Sequence, residues 1–263
     1  MTAANATPLK IGLVTDIHYA DTPANEKRDT RASFDRVRQA VNDFQKHNID
    51  VVVSLGDLVH SGPDVQAERS YMQTIVGELR RVDCPIYFCL GNHCVDRLTK
   101  PEALKVINQP AATFDTIHNG IRLLGLDTCF NLDGSPYGRL NSDWRCAVLP
   151  ESELKQLTRK LSAKTMPTLL FSHHRLDAAN DWSLQNAIQV RNVIAGSKHL
   201  CLVLQGHAHV GDCRLIGQQK YLTLAPMVSS DSRSNAYSIL RIAQSRCFEL
   251  QGFCRQGSYH DLI

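Results

Sequence analysis

The chain has 263 residues, 43% of them hydrophobic and 21% charged, which suits one large α/β domain with a sizeable core and excludes a disordered or low-complexity chain. Lys and Arg total 29 against 26 Asp and Glu, a formal charge of +3. That balance makes nucleic acid an improbable partner, gives no field for an anionic membrane, and leaves a small phosphorylated substrate open.

The first apolar run, Lys10 to Thr15, predicts a strand. Arg31 to His47 then carries Phe34, Val37, Val41 and Phe44 at helical spacing. A strand at Val51 to Leu55 precedes a second helix, Val65 to Arg80, with Tyr71, Ile75 and Leu79 four apart. Strands at Ile86 to Leu90 and Ile121 to Leu126 follow, and Thr128 to Asn141, rich in Asn, Asp, Gly, Ser and Pro, reads as an exposed loop. Pro150, Glu151 and Glu153 open a third helix through Leu161, because Pro fits a first turn and acids complement the positive helix end. After a strand at Thr168 to Phe171, Ser183 is the expected cap of a helix from Leu184 to Ile194 that Gly196 ends. Strands at Leu200 to Leu204, Tyr221 to Leu224 and Tyr237 to Ile242 complete the set.

Strand and helix alternate early, which predicts parallel pairing with crossover helices, while the last sixty residues are strand-rich with short connections. The expectation is a mixed, two-sheet α/β architecture without internal repeats, one domain over 1–263, with a strand-rich C-terminal part at 220–254. No run approaches the ~20 apolar residues of a membrane span, and the opening MTAANATPLKIGLV shows no basic region followed by an unbroken apolar stretch. Nine cysteines, an odd number without any CxxC pair, read as reduced thiols that mostly serve as small buried hydrophobes. The chain therefore reads as soluble, untargeted and cytoplasmic.

Polar clusters begin where five of the apolar runs stop: Asp16-Ile17-His18, Gly56-Asp57, Gly91-Asn92-His93, Ser172-His173-His174 and Gly206-His207-Ala208-His209. Ligands of open α/β sheets bind beyond the carboxyl ends of strands, so these clusters should meet at one rim. Asp16 with His18, and His207 with His209, are two apart, a spacing that points side chains the same way in extended backbone. The glycines allow a sharp exit from the strand and close backbone approach. Oxygen donors (Asp16, Asp57, Asn92) with imidazoles (His18, His173, His207, His209) and no thiolate suit Mn, Fe or Zn better than Ca or Mg. Seven donors exceed one tetrahedral site but serve two ions if one carboxylate bridges. Two such ions acidify a bridging water, whose hydroxide attacks, and clamp the oxygens of a phosphoryl displacement.

In this order DIH, GDLVH, GNHC, SHH and GHAH resemble the five blocks of the calcineurin-like metallophosphoesterase superfamily. The resemblance implies a four-layer α/β/β/α sandwich of two mixed β-sheets flanked by helices. It implies that Asp16, His18 and His209 hold one metal, that Asn92, His173 and His207 hold the other, and that Asp57 bridges. It places His93 near the leaving-group oxygen, as proton donor or charge stabiliser. DIHYAD, AVLPESELKQL and YLTLAPMVSSDSRSNAYSIL are similar to the manganese-dependent ADP-ribose/CDP-alcohol diphosphatase branch, which implies nucleotide diphosphate conjugates as substrates. A general phosphodiesterase or phosphomonoesterase is the alternative, and a non-catalytic protein-binding scaffold a distant one; no protein partner can be named. The family's second block usually ends in Asp, where this chain has His60, and its third continues with an acid, where this chain has Cys94.

Tyr19, Arg97, Arg139 and Arg175 fall in loops near the expected rim and are candidates for substrate contact, the arginines because a guanidinium fork matches phosphate oxygens. Packing is the default for Trp144 and Trp182, an inert thiol for Cys94, and a role outside the site for His47, His118, His199 and His260.

Overall fold

A computed structural model describes residues 7–163, 165–243 and 245–260. In chain order the first half forms β1 (Leu9–Val14), α1 (Ser33–Lys46), β2 (Val51–Ser54), α2 (Val65–Leu79), β3 (Ile86–Phe88), α3 (Lys100–Ile107), β4 (Phe114–His118) and β5 (Ile121–Gly125). The second half forms α4 (Glu151–Ala163), β6 (Thr168–Ser172), α5 (Ala187–Ala195), β7 (Leu200–Gln205), β8 (Asp212–Ile216), β9 (Gln219–Thr223), β10 (Ala236–Ile242), β11 (Phe248–Cys254) and β12 (Tyr259–His260).

Among the described residues these strands build two six-stranded sheets, ordered β12-β11-β10-β1-β2-β3 and β4-β5-β6-β7-β9-β8. Both are mixed. β1, β2 and β3 run parallel, with Gly12 opposite Val52 and Val53 opposite Tyr87, while β10 closes antiparallel on β1. In the second sheet β5, β6, β7 and β9 are parallel, and β4 and β8 are antiparallel edges.

The period of two in the strands explains the layering. Leu9, Ile11, Leu13, Val51 and Val53 from the first sheet meet Leu123, Leu169, Phe171, Leu202, Leu204 and Leu222 from the second in a dry layer between the sheets. Residues of opposite phase, such as Val52 and Ile239, pack instead against Val37, Val41 and Phe44 of α1, while Leu170 and Val203 meet α4 and α5 through Leu157, Leu161, Val190 and Ile194. Helix, sheet, sheet and helix thus form four layers, as the block resemblance implies. No helix among the described residues is long and apolar enough to cross a membrane.

Four local expectations need correction. The helix expected from Leu184 begins at Ala187 with Asn186 in the cap position; Ser183 Oγ instead donates to Asn180 Oδ1 at 3.0 Å and caps no helix. The segment from Thr128 to Asn141 is irregular, but Thr128, Cys129 and Tyr137 are buried, because the Tyr137 hydroxyl donates to Asp143 O and its ring joins the core. Helix α3 was not expected, although Thr99 and Glu102 form a reciprocal capping box with Pro101 in the first turn. Strands β4, β8, β11 and β12 lie outside the expected set, and all four are edge strands or neighbours of an edge.

Candidate metal centre

The segments leaving the C-terminal ends of β1, β2, β3, β6 and β7 meet at one rim that joins both sheets. Each motif backbone is fixed to its neighbour there: Asp16 N donates to Gly56 O, His18 N to Asp57 O, and Gly206 N to His173 O. Behind them Met227 N and Val228 N donate to Thr15 O and Asp16 O, so the C-terminal segment braces the first motif. The two-apart spacing works differently from the extended geometry expected. Asp16 and His18 have φ of +49° and +48°, and His207 and His209 of +69° and +54°; Asp57 is at +49°. Left-handed backbone at five non-glycine positions costs of order 1–3 kcal/mol each and persists only where surrounding structure enforces it. Close approach is also built in: a Cβ on Gly91 would lie 2.2 Å from Asp57 Oδ1, and one on Gly206 2.2 Å from Thr15 Oγ1.

Each carboxylate divides its oxygens between scaffold and site. Asp16 Oδ2 accepts from Thr15 Oγ1 (2.7 Å) and His207 N (3.0 Å). Its Oδ1 is buried without a hydrogen-bond partner and lies 3.5 Å from His209 Nε2 and 3.8 Å from His18 Nε2. Asp57 Oδ1 accepts from His93 N at 2.9 Å, while Oδ2 lies 3.5 Å from His18 Nε2 and 3.4 Å from His173 Nε2. His173 Nδ1 donates to Leu55 O at 2.8 Å, which turns Nε2 toward the site, 3.3 Å from Asn92 Oδ1. His207 Nε2 is likewise buried and unpartnered. Three groups of possible donors lie within 4.8 Å of one another: Asp16 with His18 and His209, Asp57 with His173 and His207, and His18 with His60 and His93. Convergent, mostly buried N and O donors, with Asp16 Oδ2, Asp57 Oδ1 and His173 Nδ1 already committed to hydrogen bonds with the scaffold, fit divalent transition metals.

A calcineurin-like phosphoesterase family model matches residues 9–211, a span that holds all five clusters. The chain belongs to the calcineurin-like phosphoesterase family. Members of that family are metal-dependent phosphoester hydrolases with dinuclear centres. The fold agrees: a dimetal phosphatase from Danio rerio superposes with a TM-score of 0.82 at 18% identity, covering 98% of this chain and 99% of that one. A manganese-dependent ADP-ribose/CDP-alcohol diphosphatase from Oryza sativa is 27% identical over 115 residues, 41% of this chain and 36% of that protein's length. A probable cyclic nucleotide phosphodiesterase from Synechococcus is 27% identical over 220 residues, 79% of this chain and 76% of its own.

Electrostatics at this phosphoesterase rim separate the donors. Burial opposes charge on Asp16 and Asp57, but the imidazoles around them outweigh it and hold both carboxyls well below their ordinary range. Burial pushes His207 down to about 3 and lowers His18 and His174 strongly. For His173 burial is again opposed, here by Asp57, and its pKa rises to about 9.

A cavity of about 180 Å³ opens over the donors, floored by His18, Asp57, Asn92, His93, His207 and His209. Its remaining lining was not among the expected contacts: Arg28, Trp144 and Trp182. The tryptophan rings are 4.6 Å apart, and Trp182 lies over His209 at 6.3 Å with 23° between planes. A larger hollow of about 590 Å³ near α5 and the Gly217 turn contains none of the donors and has no bearing on this chemistry.

None of the four expected substrate contacts lines the cavity. Arg175 is buried and held by Asp177 and Asp212. Arg139 donates to Glu102, Arg97 Nε is buried away from the cavity, and Tyr19 packs against Phe34 and Tyr71. His60 sits 5.0 Å from the His93 ring with its Nδ1 3.2 Å from Arg28 Nη1. Cys94 is buried, its sulfur accepts from Leu58 N, and burial pushes its thiol up to about 12, so it braces the second motif and is unreactive. His174 lies behind the site, Nδ1 2.8 Å from Thr128 Oγ1.

Proposed function

We propose that the protein is a dimetal phosphoesterase in which Asp16, His18 and His209 hold one ion, Asn92, His173 and His207 the other, and Asp57 both. The observation that carries this reading is Asp57 Oδ2, which lies 3.5 Å from a histidine of one group and 3.4 Å from a histidine of the other. Bound there, two Mn, Fe or Zn ions supply Lewis acidity to phosphoryl oxygens and acidify water.

The chain's own groups position and discharge the substrate. His93 has its backbone fixed on Asp57 Oδ1, and its ring lies 4.8 Å from His18. Burial lowers its pKa, so at neutral pH it is a neutral imidazole whose N–H faces charge developing on the leaving oxygen. Trp144 and Trp182 wall the opposite side, against His207 and His209.

The substrate reading is a nucleotide diphosphate conjugate such as ADP-ribose or a CDP-alcohol, supported by an aromatic wall beside a small anion-sized cavity and by the name of the rice relative. Cyclic nucleotides are the second reading, favoured by the longer alignment to the Synechococcus protein. A scaffold role is disfavoured because all seven donors and His93 are present.

Metal-stripped protein, with and without Mn²⁺, should be offered ADP-ribose, CDP-choline, cyclic AMP and bis-p-nitrophenyl phosphate while bound metal is counted. Mn²⁺-dependent cleavage favouring the first two is expected; turnover of only the last two moves the assignment to a general phosphodiesterase. Asp57→Asn and His207→Ala should lose metal and turnover together, and full activity in either overturns the mechanism.

A further inference from the structure

Among the described residues, Arg28 is the only Lys or Arg that lines the cavity. Its backbone is fixed by Asn25, whose Oδ1 accepts from Arg28 N at 2.9 Å and whose N donates to Arg28 O. The guanidinium reaches His60 Nδ1 at 3.2 Å, and among the described residues it forms no ion pair. Other arginines differ: Arg31 pairs with Asp21, Arg139 with Glu102, Arg175 with Asp177 and Asp212, and Arg36 donates to four carbonyls. An imidazole fixes a guanidinium in place without neutralising it, so Arg28 presents an uncompensated cation to the cavity. The position matters as much as the charge. His60 lies 5.0 Å from His93 and 5.7 Å from His18 by ring centroids, so Arg28 enters on the His93 side, whereas the tryptophans stand against His207 and His209.

We propose that Arg28 is a specificity residue that binds a phosphate on the leaving group, so that the site favours a diphosphate linkage over a cyclic or aryl phosphodiester. The inference rests on the phosphoesterase reading and names the feature that divides its two substrate classes. In diphosphate hydrolysis a water oxygen bonds to the attacked phosphorus, and the bond from that phosphorus to the bridging oxygen breaks. The electron pair stays on the bridging oxygen, which departs as a phosphate monoester; one water hydrogen remains on the new phosphate and the other is released as a proton. The departing phosphate carries charge that a guanidinium fork matches. The alkoxide or phenolate lost from a cyclic or aryl diester offers no such group.

The test compares Mn²⁺-loaded full-length protein with Arg28→Gln and Arg28→Lys on ADP-ribose and bis-p-nitrophenyl phosphate. Arg28→Gln should lose about ten- to a hundredfold in kcat/KM for ADP-ribose and less than about threefold for the aryl diester, with partial recovery in Arg28→Lys. Equal loss on both substrates, or none, overturns the assignment. If wild type cleaves neither, the phosphoesterase reading fails instead, and binding still reports on Arg28. The chain's only two tryptophans are Trp144 and Trp182, so emission reads the cavity directly. Affinity for α,β-methylene-ADP should fall at least about tenfold in Arg28→Gln while AMP affinity holds; a parallel fall in both overturns the proposal.

Discussion

His18 Nε2 and His209 Nε2 lie 3.0 Å apart at the rim, one delivered by the end of β1 and the other by the end of β7. Their chains join the sites of two different sheets, and Asp16 Oδ1 faces both. On the proposed assignment this trio is one ion position, so His209→Ala should leave the Asp57, His173 and His207 group intact. Elemental analysis is expected to fall from two metals per chain to one; retention of two would place His209 outside the ligand set.

Metal affinity should depend on pH in a defined direction. With a pKa of about 9, His173 carries a proton at neutral pH that a metal must displace, whereas Asp16, Asp57, His18 and His207 have already lost theirs. Between about pH 7 and 9 the apparent affinity for the Mn²⁺ at the His173 position should rise by roughly tenfold per unit and then level, because one proton is released as that ion binds. A flat profile measured by competition with a chelator would contradict the raised value.

The tryptophan wall gives a prediction on binding alone. Trp182→Ala removes the ring lying over His209 and the partner of Trp144. Base stacking is worth about 1–3 kcal/mol, so KM for a nucleotide substrate should rise by roughly 5- to 150-fold, with bis-p-nitrophenyl phosphate changing much less. Equal KM increases on both would make the wall a structural element only.

Arg175 separates stability from chemistry. It is buried and ion-paired to Asp177, itself buried, and to Asp212. Arg175→Met leaves the buried Asp177 only the longer 3.6 Å contact with Arg214 and should destabilise the fold by about 3 kcal/mol in urea unfolding, while folded protein still binds two metals. Asp212 also sets a direction with pH: Arg175 and Arg214 hold it below its ordinary value against a burial effect that raises it. The stability from that pairing is therefore present above the unfolded-state pKa and is lost as pH falls through the folded one.

The convergence of the seven proposed donors was legible because strand ends and N/O side chains coincide in the chain, and the fold orders those ends along one rim. Their local geometry was not. Asp16 and His18 converge through left-handed backbone, a conformation that tertiary contacts such as His18 N to Asp57 O impose and that no residue pattern announces. Substrate-facing arginines failed for a similar reason: proximity to a motif says nothing about which carboxylate captures a guanidinium first, and Asp177 and Glu102 captured Arg175 and Arg139. Trp144 and Trp182 did leave a trace, since each follows an Asp within a polar loop, where a large aromatic has no strand or helix face to fill. Arg28, in the charged stretch Glu26 to Arg31, left none. Edge strands such as β8, exposed along most of its length, lack the alternation that marks a half-buried strand.

The order of the first sheet also governs how the molecule is made. β1 pairs on one side with β2, about forty residues later, and on the other with β10, which begins at Ala236. A growing chain that has already passed His209 holds every proposed metal donor and still presents one open edge of β1, a row of unsatisfied N–H and C=O groups that recruits other strands. The vulnerable interval in biosynthesis thus falls between completion of the site and arrival of β10, and nonsense or frameshift lesions in that interval would yield an aggregating chain rather than a weakened enzyme.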